Sequence, residues 1–337
     1  MNRTFYQPAE WHKQKAVWTA WPYLDKEWPY IEESQKEFIK FCEMISEYGK
    51  QELHILFPSE QVYADARVAL ADKGVLFIRH IMEYGDSWLR DTGPIFVKDK
   101  YENPASICFK FNGWGGKYIM PGDEKVAKSI ATKVGYPRFM LPIILEGGSI
   151  DVDGKSTGLT TKQCLLNPNR NPGKTKEEIE QVVMNAYGLK KLIWIDEGLL
   201  NDHTDGHIDN IARFVAPGRV MVMEPSGKDD PNADVYRRII EILEQETDAK
   251  GRKLEVIKIP SPGKIVIDDQ IMPASFLNFV ITNGAVIIPT YDCPYATTAV
   301  KKIGTYFPGR VSIGVPSQYI LTGGGSFHCI TQQQPLF

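Results

Sequence analysis

Apolar positions recur every three or four residues over Ile31–Tyr48, Glu60–Asp72, residues 175–187 and residues 234–247, which predicts four amphipathic helices. The third opens with Thr175 and, three positions later, Glu178, a pairing that satisfies free amide donors at a helix start. Short apolar runs lie between the helices, at residues 53–57, Lys191–Ile195, 220–223 and 254–257, and these read as buried strands. Asn283 and Gly284 stand between the runs 276–282 and Ala285–Thr290, which predicts a hairpin. Strand and helix patterns thus alternate along the chain. No Ser/Gly linker or low-complexity stretch interrupts them, so one α/β domain over residues 1–337 is favoured over two.

A weak internal echo adds to this alternation. Residues 145–150 read LEGGSI and residues 321–327 read LTGGGSF, each a glycine turn with a polar group at a similar place. The echo points to one supersecondary unit reused around a common centre, with coincidence among 28 glycines as the alternative.

Composition narrows the class. With 337 residues, 43% hydrophobic and 24% charged, the chain has the make-up of a globular protein with a large core. A formal net charge of −3 and the lack of any long like-charge block argue against a nucleic-acid partner. Residues 1–10 are polar and lack the apolar stretch of a secretory signal, and no apolar run reaches the length of a membrane span. A cytoplasmic location without a membrane partner is therefore expected. Five scattered cysteines with no CxxC pair fit reduced thiols better than a disulfide framework or a zinc cage.

Four polar stretches carry candidate chemistry. The first runs from Asp86 through Trp88, Arg90 and Asp91 to an apolar run, and its alternative reading is a surface turn in which Arg90 neutralises a neighbouring Asp. The second sets Glu146 before Gly147 and Gly148, where backbone can approach a ligand closely. The third, residues 202–210, holds His203, His207 and Asp209. A strand starting at Gly206 would put His207 and Asp209 on one face. His203 and His207 are four apart, as in a helical zinc site, but Gly206 disfavours a helix and Thr204 stands where a metalloprotease base would be. A buried, hydrogen-bonded core role is the other reading for His207. The fourth is the turn Gly323, Gly324, Gly325, Ser326, Phe327, His328, Cys329, which presents Cys329 as the candidate nucleophile. His328 is adjacent, but neighbours in an extended segment face opposite ways, so His207 is the better partner.

One Cys, one His beside an Asp, and several carboxylates near glycine turns and tryptophans suit a planar cation, because a guanidinium presents a fork of donors that carboxylates bind bidentately. A thiolate could add to the guanidinium carbon while His207 protonates departing ammonia and later activates water. This is hydrolytic deimination, which needs no cofactor and no metal.

The stretches DSWLRDTGP, FNGWGG, LEGGSI, CLLNPNRNP, TDGHIDNIARFVAPG and GGGSFHCITQQQP, in this order along essentially the whole chain, resemble those of the agmatine deiminase family, which is related to bacterial peptidylarginine deiminases. The resemblance implies a five-bladed α/β propeller, the pentein fold, with pseudo-fivefold repeats of roughly 67 residues around a central active site. It implies Cys329 as nucleophile, His207 as general acid and base, and Asp91 and Asp209 as the carboxylates gripping the guanidinium. Glu146 is implied as a further substrate contact, Trp88 and Trp114 as pocket walls suited to a flat cation, and Gly324 as backbone beside the substrate. The implied reaction converts agmatine and water to N-carbamoylputrescine and ammonia through a covalent amidino-cysteine. Deimination of arginine or peptidylarginine, amidino transfer to an amine, and a non-catalytic polyamine binder are the rivals. Asp86, Asp202 and Asp205 are acidic candidates for a distal ammonium, and family analogy with general base rates implies a homodimer. The chain departs from the family's usual GGGNIHC at Ser326 and Phe327, the latter expected to pack behind the turn.

Overall fold

All four predicted helices form, at Ile31–Tyr48, Glu60–Asp72, Lys176–Tyr187 and Ala233–Gln245, and two more, Asp123–Val134 and Ala296–Gly304, join them. The computed structural model describes residues 5–337; residues 1–4, part of the stretch read above as lacking an export signal, lie outside the described residues. Thr175 caps its helix as its spacing predicts: its side chain accepts from the Glu178 amide while Glu178 accepts from the Thr175 amide. Such a cap stabilises a helix by about 1 kcal/mol. Helix Ile31–Tyr48 buries Phe38, Phe41, Cys42 and Ile45, a one-face stripe set by the 3.6-residue period.

The strands assemble into five sheets of three or four strands and one two-stranded ribbon, Val266–Ile267 with Gln270–Ile271, among the described residues. The five share one connectivity. In each, a strand pairs antiparallel with a second, the chain then passes through a helix, and a third strand pairs parallel to the second. Asp151–Val152, Thr157–Thr161 and Lys191–Ile195 make one such unit around helix Lys176–Tyr187. Ala212–Ala216, Arg219–Glu224 and Glu255–Pro260 make another around Ala233–Gln245. Val280–Ile281, Ala285–Thr290 and Val311–Pro316 follow around Ala296–Gly304. Ile95–Asp99, Pro104–Lys110 and Arg138–Ile144 repeat the scheme around Asp123–Val134. The remaining unit is closed by both ends of the chain, since Thr331–Pro335 pairs antiparallel with Gln14–Ala20, which pairs parallel with Glu52–Phe57. The parallel pairs require a crossover, and the helices supply it.

The Asn283–Gly284 hairpin is present: Ile281 faces Val286, and the Thr282 amide donates to the Ala285 carbonyl at 2.8 Å. A Cβ on Gly284 would lie 2.1 Å from the Tyr48 carbonyl oxygen, so this turn also needs glycine for its approach to the first long helix. The strand leading into it is only Val280–Ile281, shorter than the apolar run 276–282. Residues 276–279 are buried without joining a sheet.

The reading of residues 206–215 as one strand is corrected. Asp205 and Gly206 have φ of +66° and +84°, the chain turns there, Ile208–Asn210 forms a 3₁₀ turn, and the strand begins only at Ala212. The turn, rather than the two-residue pleat, sets where His207 and Asp209 point.

Candidate active site

The polar stretches occupy equivalent places in the five units, on the segment just before the first antiparallel strand. Asp91 precedes Ile95–Asp99, Glu146 and Gly148 precede Asp151–Val152, His207 and Asp209 precede Ala212–Ala216, Asn278 precedes Val280–Ile281, and Cys329 precedes Thr331–Pro335. Asp91, Asp209, His207, Glu146, Asn278 and Cys329 are all buried, which places costly polar groups where only mutual pairing or a ligand can satisfy them.

Cys329 borders a cavity of about 200 Å³ whose wall also includes Glu27, Asp86, Trp88, Asp91, Trp114, Tyr118, His203 and Gly324. Its Sγ receives a hydrogen bond from Asn278 Nδ2 at 3.0 Å and lies 3.6 Å from Asp209 Oδ2. Asn278 Oδ1 accepts from the amides of both His328 and Cys329, so one amide side chain fixes the backbone and the sulfur together. Burial, reinforced by Asp209 and Asp91, holds the thiol well above its usual range. This favours the thiol form of Cys329, and a cation against its carboxylates would favour the thiolate.

Gly148 is where the pieces meet. A Cβ there would lie 2.6 Å from His207 Nδ1, 3.0 Å from Asp91 Oδ1 and 3.1 Å from Asp209 Oδ2. Its amide donates to Asp91 Oδ1 at 3.0 Å, and Trp114 Nε1 donates to Asp91 Oδ2 at 2.9 Å. The second glycine turn repeats the device, since a Cβ on Gly325 would lie 2.7 Å from the Trp88 ring and 3.1 Å from Cys329 Sγ.

The two carboxylates expected to grip a cation differ in ionisation. Burial, then Asp209 and Glu146, hold Asp91 well above the usual carboxylate range. Burial opposes ionisation of Asp209 as well, but the hydrogen bond and charge of His328 outweigh it and hold Asp209 low. His328 Nδ1 lies 2.7 Å from Asp209 Oδ2 and its Nε2 lies 2.9 Å from Glu10 Oε2. Glu10 in turn pairs with Arg213, which also binds Asp151. Residues 327–330 form a turn rather than an extended segment, and His328 and Cys329 meet the same oxygen, Asp209 Oδ2, so alternation of faces does not separate them.

His207 is fully buried, and both ring nitrogens lack a hydrogen-bond partner. Nδ1 lies 3.7 Å from Asp91 Oδ1 and Nε2 lies 3.9 Å from Glu146 Oε2. Burial pushes its pKa down to about 3, against the attraction of Asp209, which favours the neutral ring.

Several expectations need revision. Glu146 bonds Arg170 Nε at 2.9 Å and faces His207 Nε2, and Glu146, His207 and Asp209 are not among the residues that line the cavity. Asp205 is taken by Arg170 and Lys117, and Asp202 by Thr204 and Asn210. Only Asp86 of the three acidic candidates reaches the cavity, joined by Glu27. The surface-turn reading of residues 86–91 fails: Asp86, Arg90 and Asp91 are buried, and Arg90 bonds Gln332, Gln333 and the His328 carbonyl rather than either Asp. Asp86 instead accepts from the indoles of Trp28 and Trp88. His203 stacks on Tyr118 at the cavity wall. Phe327 packs behind the turn on Phe41, with centroids 4.5 Å apart. Glu10 and Asn278 escaped the sequence reading as single polar residues with no spacing to mark them, whereas Arg170 and Arg213 stood inside stretches that carried the resemblance and were given no role.

Residues 6–335 match the family model of the Porphyromonas-type peptidyl-arginine deiminases. A Yersinia pseudotuberculosis protein provisionally named agmatine deiminase is 37% identical, over 98% of this chain and 95% of its own. Among solved structures, the agmatine deiminase of Enterococcus faecalis superposes with a TM-score of 0.91 at 31% identity, covering 98% of this chain and 96% of that one. The C. jejuni agmatine deiminase with substrate bound, a cysteine-to-serine variant, gives 0.89 at 27% identity over 98% and 96%. A Pseudomonas aeruginosa DDAH, 11% identical with a TM-score of 0.55, shares the fold.

Proposed function

Because the chain belongs to the Porphyromonas-type peptidyl-arginine deiminase family, we propose that its cavity hydrolyses the guanidinium of agmatine to N-carbamoylputrescine and ammonia. One observation carries the choice of substrate. Among the described residues the wall bears the carboxylates of Glu27, Asp86 and Asp91 and no Arg or Lys, which suits a dication and offers no partner to an α-carboxylate.

In this reading Asp91 and Asp209 hold the guanidinium nitrogens, and the bound cation favours the thiolate, so that the Cys329 proton passes to His207. Sγ attacks the guanidinium carbon. His207 delivers a proton to one nitrogen, the C–N bond breaks, and ammonia leaves an S-amidino cysteine. His207 then takes a proton from water and the hydroxide adds to the same carbon. The C–S bond breaks as the adduct's hydroxyl proton passes to sulfur, which restores the thiol and leaves the urea, and His207 gives its proton to the released ammonia. Trp88 and Trp114 exclude water and face the flat cation, Gly324 bounds it, and Glu146 orients His207 from behind. Glu27 and Asp86 are the carboxylates for the distal ammonium. The five units of shared connectivity, each sending its equivalent segment to one site, support a five-bladed propeller within a single catalytic domain.

The test is turnover by purified protein in the presence of a strong chelator, with agmatine, arginine and an arginine peptide in parallel. Agmatine should give N-carbamoylputrescine and ammonia at the highest kcat/KM, and Cys329→Ala should abolish it. Faster turnover of arginine or its peptide, or transfer of the amidino group to an added amine, would overturn the reading.

A further inference from the structure

Cys164 takes no part in this chemistry, yet it lies against the proposed base. Glu146, Cys164 and His207 each offer one ligand atom, and these atoms lie within 4.8 Å of one another. All three residues are fully buried. Glu146 Oε2 and both ring nitrogens of His207 have no hydrogen-bond partner, an arrangement that leaves lone pairs unsatisfied in a dry interior. His207 Nε2 and Glu146 Oε2 are the pair facing each other, at 3.9 Å.

We propose that Glu146, Cys164 and His207 form an inhibitory site for a zinc-like divalent cation. Thiolate, imidazole and carboxylate together select a borderline-soft metal over magnesium or calcium. Tetrahedral zinc places its ligand atoms roughly 3.5 Å apart, so closing the site asks for about 1 Å of side-chain movement. The surroundings favour that movement ending in order. Arg170 holds Glu146 by Oε1 and leaves Oε2 free. Thr161 Oγ1 accepts from the Cys164 amide and donates to the Gly206 carbonyl, tying the cysteine's turn to the one that carries His207. A metal here would occupy the imidazole that must shuttle protons. Binding balances by loss of one proton from the Cys164 thiol to the buffer, the imidazole being already neutral and the carboxylate supplying its anion.

The inhibitory consequence rests on the deiminase reading, whereas metal binding does not, so the two are measured apart. In Cys329→Ala protein, which lacks the cavity thiol, cobalt(II) should bind at one equivalent with a thiolate-to-metal charge-transfer absorption and release about one proton. The absorption should vanish in Cys329→Ala/Cys164→Ser. In otherwise native protein, Cys164→Ser and Cys164→Ala should keep basal turnover, and half-inhibition should need at least tenfold more zinc than wild type. Absence of the cobalt band, its survival in the double variant, or equal zinc sensitivity in the Cys164 variants would overturn the proposal. Zinc binding without loss of turnover would refute the inhibitory part alone.

Discussion

Two buried histidines sit on either side of the same carboxylate cluster, and they are held in opposite ways. His328 bonds Asp209 at 2.7 Å and Glu10 at 2.9 Å, while the ring of His207 makes no hydrogen bond. Both partners of His328 are held below the usual carboxylate range, Glu10 by Arg213 and His328 against burial, and Asp209 by His328 against burial. Each ring nitrogen of His328 thus faces a carboxylate oxygen within hydrogen-bond distance, and neither is left over. His207 keeps free nitrogens and a pKa pushed down to about 3 by burial. The satisfied core histidine, one of the two readings open for His207, is thus the role of His328. A histidine left unsatisfied at the cost of stability is the one poised to exchange a proton.

The comparison breaks most sharply at His207. His207→Gln should lower kcat by roughly 10²–10⁴-fold, the worth of general acid–base catalysis, while the melting temperature stays within a few degrees because no hydrogen bond is lost. A variant that unfolds would make His207 a structural residue instead. At His328 the balance reverses. His328→Asn cannot serve both carboxylates, and leaving a buried charge unpaired should cost about 3–5 kcal/mol of unfolding free energy by denaturant titration. Unchanged stability would show that the Asp209–His328–Glu10 chain is not under load.

Gly148 lies against His207, Asp91 and Asp209, and Gly148→Ala should push the imidazole from its place. With a Cβ at 2.6 Å from His207 Nδ1, turnover should fall by about 100-fold with little loss of helix content by circular dichroism. Wild-type rates would mean the ring can give way freely. The smallest effect is a proton count. Asp91 is held protonated above its usual range by burial, Asp209 and Glu146, and a bound guanidinium would pull it down. Agmatine binding to Cys329→Ser protein, whose thiol no longer contributes, should therefore release up to one proton and tighten as pH rises toward the pKa of Asp91, levelling above it. Calorimetry in buffers of different ionisation enthalpy reads this directly, and zero release would mean Asp91 is already ionised like Asp209.

Helix and strand periodicity, the Thr175 cap and the Asn283–Gly284 turn were legible because each is local: one amphipathic face, one side chain reaching three residues, one dipeptide that tolerates its own backbone. Cys329, His207, Asp91, Asp209, Trp88, Trp114 and Gly324 were legible as a family pattern, and the chemistry of a thiol with carboxylates pointed to a planar cation. The spacing of His207 and Asp209 was legible too, but its meaning was not, since the positive φ at Asp205 and Gly206 replaced a pleat by a turn.

Which polar groups pair was settled only by folding. Residues 24 to 318 positions apart meet, so Glu10 finds His328 and Arg213, Asn278 finds Cys329, and Arg170 takes Glu146 and Asp205. Such pairings follow from burial and distance in three dimensions, where an unpaired charge is too costly to persist, and one-dimensional spacing carries no record of them. Residue order thus fixed the chemical kit and its elements, and tertiary contact decided which carboxylate stays ionised, which histidine stays free and which acids face the cavity.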